Sequence, residues 1–111
     1  MKRHWSSFDA SITNREFAAL PLDDRITLFE AMKLYRMDAG IGYVVNSYGK
    51  GILMIKPKDG QGRCLFFSVI ETDGAQELVA LLAYKKESQK IPKHLIDLAA
   101  DRMRQYKERT K

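Results

Sequence analysis

At 111 residues, 45% hydrophobic and 30% charged, the chain is expected to form one domain over 1–111, and this composition excludes an intrinsically disordered protein. Its net charge is +5, and no window approaches the ~18 consecutive apolar residues of a membrane span. The single cysteine, Cys64, excludes an internal disulfide, and the start MKRHWSSFDA lacks the apolar segment of a secretory signal, so a cytoplasmic location is expected.

In chain order, His4 to Ile12 is expected to hold a brief edge strand. Thr13-Asn14-Arg15-Glu16 has the form of a capping box, in which the threonine hydroxyl and the glutamate satisfy helix-start N–H groups reciprocally. A short helix then turns Phe17 and Leu20 inward before Pro21. Asp23 and Asp24 suit the positive end of a second helix. Leu22, Ile26, Phe29 and Lys33 recur there at 3–4 spacing, with Leu28, Met32 and Tyr35 widening the apolar face. After Gly42 the period shifts toward two. Residues 52–56 read as a strand, 57–62 as a turn, 63–70 as the return strand and 72–74 as a second turn. Residues 77–84 are almost unbroken in apolar character, so this strand should be central and covered on both faces. Pro92 suits the first turn of a last helix, whose apolar side is Leu95, Ile96, Ala99, Met103 and Tyr106. Met32, Met37, Met54 and Met103 read as core filler. The expected fold is α+β: a short N-terminal strand and helical hairpin, a three-stranded antiparallel sheet and a C-terminal helix.

Charge is unevenly placed. Residues 1–47 hold six Lys/Arg and six Asp/Glu, and 48–84 hold four of each. Residues 85–111 hold nine Lys/Arg against four Asp/Glu, so the whole excess lies in the last quarter. That block suits a polyanion such as nucleic acid, or simply a solvated basic helix. Two constellations could carry chemistry. If the 57–62 turn closes symmetrically, Lys56 faces Arg63, Met54 faces Leu65 and Ile52 faces Phe67. An anion would relieve the repulsion between the two cations; alternatively both point into water at a hairpin mouth. The second is Tyr84-Lys85-Lys86, where Tyr84 and Lys86 share one strand face. Cations near Tyr84 would favour its phenolate, making it a proton acceptor or a stacking platform; alternatively it covers a sheet edge. His4 and His94 lack partners at metal-ligand spacing and read as surface residues. Trp5 is either an anchor or an exposed contact.

From Gly51 onward the chain resembles the C-terminal half of the RelE/ParE toxin superfamily in its phage-derived, HigB-like branch. The resemblance rests on Gly51-Ile52-Leu53-Met54-Ile55-Lys56, on Arg63 with Phe66 and Phe67, on Tyr84-Lys85-Lys86, on Gln89-Lys90-Ile91-Pro92, and on Ala99 to Arg104. The helical hairpin REFAALPLDDRITLFEAM is similar too, with a less specific motif. Two positions depart from the superfamily: Met54 stands where it has a glutamate, and Lys56 where it has an arginine. The resemblance implies the toxin of a type II toxin–antitoxin pair, a metal-independent mRNA endoribonuclease acting on ribosome-bound mRNA, with no cofactor. Lys56, Arg63, Tyr84 and Lys86 would then be catalytic. Lys58, Lys85, Lys90, Lys93, Arg102 and Arg104 would grip RNA phosphates. The implied partners are mRNA, the ribosome and a small helix-turn-helix antitoxin, with no membrane. Two other functions stay open: non-enzymatic inhibition of DNA gyrase, as ParE-like members do, or a non-toxic phage-derived module binding nucleic acid or protein.

Overall fold

The computed structural model describes residues 2–110. Its elements are β1 (Arg3–Ser7), α1 (Ala10–Ala19), α2 (Leu22–Arg36), β2 (Tyr43–Ser47), β3 (Leu53–Pro57), β4 (Gly62–Ile70), β5 (Gln76–Lys85) and α3 (Lys93–Arg109). The α+β class stands, but the sheet has five strands rather than three, in the order β1-β5-β4-β3-β2. β2, β3, β4 and β5 run antiparallel as a meander, and β1 joins the far edge parallel to β5. The two extra strands have different origins. The N-terminal strand is shorter than the expected 4–12 segment and docks on the sheet. β2 is built from YVVNS between glycine-rich turns, a stretch short enough to read as linker.

With β1 on one side and β4 on the other, β5 is internal, as its apolar run requires. Leu78, Ala80 and Ala83 enter one core with α1 and α2, while Val79, Leu81 and Leu82 enter a second core with α3. An irregularity marks this strand. Leu65 pairs with Leu82 but Phe66 pairs with Ala80, so Leu81 is an extra residue on β5. Side chains alternate faces along a strand, and one extra residue reverses that alternation beyond it. Tyr84 is thereby directly across from Arg63 rather than across from Gly62 on the opposite face.

The helical hairpin differs from expectation in both members. α1 starts four residues earlier than the capping box implies: Asp9 is the N-cap, its carboxylate accepting from the Ser11 N–H at 3.1 Å. Thr13 lies inside the helix, buried, with its hydroxyl 2.7 Å from that of Ser7. Glu16 reaches outward instead, accepting from the Ala83 N–H at 3.2 Å and from Arg102 at 2.7 Å. In α2, Leu28, Ala31 and Met32 are buried, whereas Leu22, Ile26 and Phe29 are exposed. The helix is rotated because its sheet-facing stripe meets β4 at Gly62. A Cβ there would stand 2.9 Å from the Asp24 carbonyl oxygen and 3.2 Å from Leu28 Cβ, so the missing side chain admits the Leu28 stripe. Phe29 turns toward Phe17, ring centroids 5.0 Å apart. Met37, expected in the core, is exposed just past the end of this helix, and Met32, Met54 and Met103 are buried.

α3 carries the expected face: Ala99 and Met103 are buried, with Leu95, Ile96 and Tyr106 packed beside them. Trp5 is an anchor, its indole N–H donating to the Met32 carbonyl at 2.9 Å. Arg102 ties α3 to the rest, donating to Glu16 and, at 2.9 Å, to the Leu81 carbonyl beside the bulge. Both side chains of that ion pair are mostly buried, and an orphaned partner in such a place is costly. Glu16→Ala is expected to destabilise the fold by about 2–3 kcal/mol, read as a lowered urea midpoint; Arg102→Ala combined with it should cost less than the sum of the two single changes.

Candidate nucleic-acid cleft

One face of the sheet opens, beside α3, into a cleft of about 480 Å³. Its walls come from five elements and a loop: Asn46 and Tyr48 at the end of β2, Met54 and Lys56 from β3, Arg63 from β4, Tyr84 and Lys85 from β5, the 86–92 segment, and His94 and Leu95 from α3. All four residues singled out as catalytic, Lys56, Arg63, Tyr84 and Lys86, line it. The hairpin register explains part of this convergence. Met54 pairs with Leu65 as expected, so Met54, Lys56 and Arg63 fall on the same face. The bulge in β5 adds Tyr84 to that face.

Arg63 is the unusual member. It is only 7% exposed, and burial pulls its guanidinium below the ordinary arginine range. It makes no ion pair among the described residues. Its Nη1 instead donates to two backbone carbonyls of its own turn, Gly60 at 3.0 Å and Gly62 at 2.9 Å. A cation held this way is fixed in direction while its charge is not cancelled by a carboxylate. Lys56, Lys85, Lys86 and Lys90 add positive charge to the walls, against the single carboxylate of Glu87.

Tyr84 corrects the sequence-based expectation. Its phenol is not made more acidic by the surrounding cations. Burial raises its pKa to about 12, Tyr48 adds to the rise, and Arg63 opposes it without prevailing. Tyr84 is therefore a protonated hydroxyl at neutral pH, able to donate to an anion. Cys64, one residue from Arg63 on the other face, is fully buried, and burial pushes its thiol well above its usual range, so it is inert core.

The six residues assigned to phosphate gripping separate into two groups. Lys85 and Lys90 line the cleft. Lys58 is exposed on the β3–β4 turn outside the lining. Lys93 pairs with Asp97 at 3.2 Å, Arg104 pairs with Asp101 and Glu108, and Arg102 is committed to Glu16 and Leu81. Lys93, Arg102 and Arg104 do not line the cleft.

Sequence reasoning missed Asn46 and Tyr48, because β2 was not recognised; the aromatic and β-branched run Tyr43-Val44-Val45 between Gly42 and Gly49 was the available signal. His94, read as a surface residue, stands at the rim of the cleft, and His4 pairs with Glu71 at 3.1 Å. Among the described residues, no group of three or more His, Cys, Asp or Glu side chains is arranged to hold a metal ion. Among the same residues, no helix is long and apolar enough to cross a membrane.

A comparison with curated proteins finds no match. Residues 15–104 match the family of phage-derived Gp49-like proteins (DUF891), a span that contains Lys56, Arg63, Tyr84 and Lys86. The chain belongs to the phage-derived Gp49-like family, and through it to the RelE/ParE-like toxin superfamily.

Proposed function

We propose that this protein is the toxin of a type II toxin–antitoxin pair, of the HigB-like branch, and that it cuts ribosome-bound mRNA without a metal ion. The observation that carries this reading is the buried Arg63, which makes no ion pair among the described residues, in a lysine-lined cleft, with the protonated Tyr84 directly across the strand pair. A polyanion that needs positive charge at one linkage is the ligand such a cleft favours.

In the proposed reaction the ribose 2′-oxygen attacks the adjacent phosphorus. The P–O5′ bond breaks, leaving a 2′,3′-cyclic phosphate and a 5′-hydroxyl. The 2′-hydroxyl proton passes to solvent, and O5′ takes up a proton as it leaves. Arg63 faces the charge that grows on the non-bridging oxygens, and Lys56 and Lys86 share that load. Tyr84, protonated at working pH, serves as a donor to the phosphate or to the departing O5′ rather than as the base that activates the nucleophile. Lys85 and Lys90 hold flanking phosphates and read no bases.

Superfamily members with a glutamate at position 54 would place a carboxylate near this arginine. Here Met54 is buried at the cleft wall, leaving Arg63 free to meet substrate alone. Lys56 keeps a charge where the superfamily has an arginine but lacks the two-pronged donor geometry. The neutralising partner is a helix-turn-helix antitoxin encoded beside the toxin, an acidic segment of which covers the cleft and associates quickly through the charge match.

Four outcomes are expected. Induction in a growing culture, followed by mapping of mRNA 5′ ends, should give codon-positioned cuts bearing 5′-hydroxyl termini; DNA damage signalling without cuts would point to gyrase, and undisturbed growth to a non-toxic module. Arg63→Ala should lower the single-turnover cleavage rate by about 100-fold while ribosome association changes little, and equal losses in both would contradict the catalytic role. Tyr84→Phe should lower the rate by about tenfold or more. The tyrosine ring-carbon resonance that Tyr84→Phe removes should titrate with a midpoint near 12, because burial disfavours the phenolate. A midpoint below 10 would restore the base role.

A further inference from the structure

Asp24 sits in the first turn of α2, 39 residues before Arg63, where the sequence alone suggests it only complements the helix dipole. Its carboxylate is used differently. Oδ1 accepts from the backbone N–H of Gln61 at 2.9 Å. The carbonyl of the same Gln61 accepts from the Lys86 N–H at 2.7 Å. On either side of it, the Gly60 and Gly62 carbonyls receive the Arg63 guanidinium. One residue of the β3–β4 turn is thus gripped from α2 on its N–H side and from the end of β5 on its carbonyl side, while its two neighbours aim the buried cation.

The packing around this turn leaves little slack. Gly60 has φ +108°, and a Cβ there would stand 2.6 Å from Thr27 Oγ1; at Gly62 a Cβ would meet the Asp24 carbonyl oxygen. Gly60 and Gly62 bring no side chains of their own to this contact, so the turn sits close on Asp24, Thr27 and Leu28 of α2 and its orientation follows the helix, with the Asp24–Gln61 bond as the polar link that sets it. Asp24 is also the carboxylate whose charge bears on Arg63, after burial and the two phenols of Tyr84 and Tyr48.

We infer that Asp24 is a positioning residue: by holding the Gln61 N–H it orients the Gly60 and Gly62 carbonyls that aim Arg63, and it sets the backbone from which Lys86 enters the cleft. This rests on the cleavage reading only for its effect on rate. The orientation of Arg63 is a property of the folded chain whatever the cleft binds.

The full chain is tested as Asp24→Ala and Asp24→Asn. Alanine suits a helix first turn, so the fold should persist. Asparagine keeps an oxygen that can accept from Gln61 but removes the charge. Asp24→Ala should speed exchange of the Gln61 amide hydrogen and weaken the response of the Arg63 side-chain N–H resonance to inorganic phosphate, each by about tenfold. It should lower the maximal single-turnover rate on ribosome-bound mRNA by about tenfold, with half-saturation shifting less than about twofold. Asp24→Asn should recover most of all three. Unchanged Gln61 exchange or an unchanged Arg63 response in Asp24→Ala overturns the inference. So does an Asp24→Asn protein as impaired as Asp24→Ala, since charge rather than the hydrogen bond would then be responsible. A wild-type protein that cuts no RNA removes the nuclease reading alone, because the exchange and phosphate measurements still decide the role of Asp24.

Discussion

A buried guanidinium without a carboxylate is the constraint around which this small protein is arranged. Removing a charge from water costs several kcal/mol even after relaxation, and an ion pair is the usual remedy. Arg63 has two carbonyl acceptors from its own turn instead. These partly offset lost hydration and fix the side chain, but they leave the positive charge uncancelled. A phosphate entering the cleft would supply the missing counter-charge in surroundings of low polarity, where the attraction is stronger than on an open surface. The stabilisation that folding forgoes at this position is then recovered on binding.

Holding that arrangement requires agreement between distant segments. α2 approaches β4 closely because position 62 carries no side chain. The extra residue Leu81 reverses the facing of β5 so that its last residues share a face with Arg63. Arg102 of α3 donates to the Leu81 carbonyl and to Glu16 of α1. The same side chain lies over the Phe8 ring, 4.9 Å from its centroid. The basic residue most deeply built into α3 therefore supports the strand irregularity that completes the cleft, which is why its charge serves the fold instead of a ligand.

Much of the cleft was legible in the sequence because it depends on local pattern. The symmetric turn at 57–62 fixes a hairpin register, and register decides which residues share a face. Lys56, Met54 and Arg63 follow from that alone. The apolar run before Tyr84 correctly implied an internal strand. The bulge was not legible, since Leu81 and Leu82 are both apolar and both faces of β5 are buried. Alternation carries no signal where neither face is polar. The α2 face failed for a related reason. Leu22, Ile26 and Phe29 form as regular a stripe as Leu28, Ala31, Met32 and Tyr35, and the choice between them was made 34 residues beyond Leu28, at Gly62. The true N-cap, Asp9, lost to a better-known pattern at Thr13, which tertiary contact with Ser7 converts into a buried helix residue.

The phenol of Tyr84 illustrates how burial outweighs charge. Counting neighbours in the sequence favours a phenolate, because Lys85 and Lys86 follow it directly and Arg63 and Lys56 stand on the next two strands. In the folded chain desolvation dominates. That reversal narrows the chemistry available to the cleft. A site whose hydroxyl stays protonated, and whose other titratable walls are mostly ammonium and guanidinium groups with His94 at the rim, is rich in donors and poor in bases. Glu87 is the single carboxylate among its lining residues. Such a site would accelerate cleavage by stabilising negative charge on the phosphate and on the departing oxygen, with positioning of the nucleophile left to the way the RNA itself is bent across the cleft. In the proposed reaction the ribosome, by holding the message in a fixed path, would supply that bend, and dependence on it would follow from what the cleft lacks.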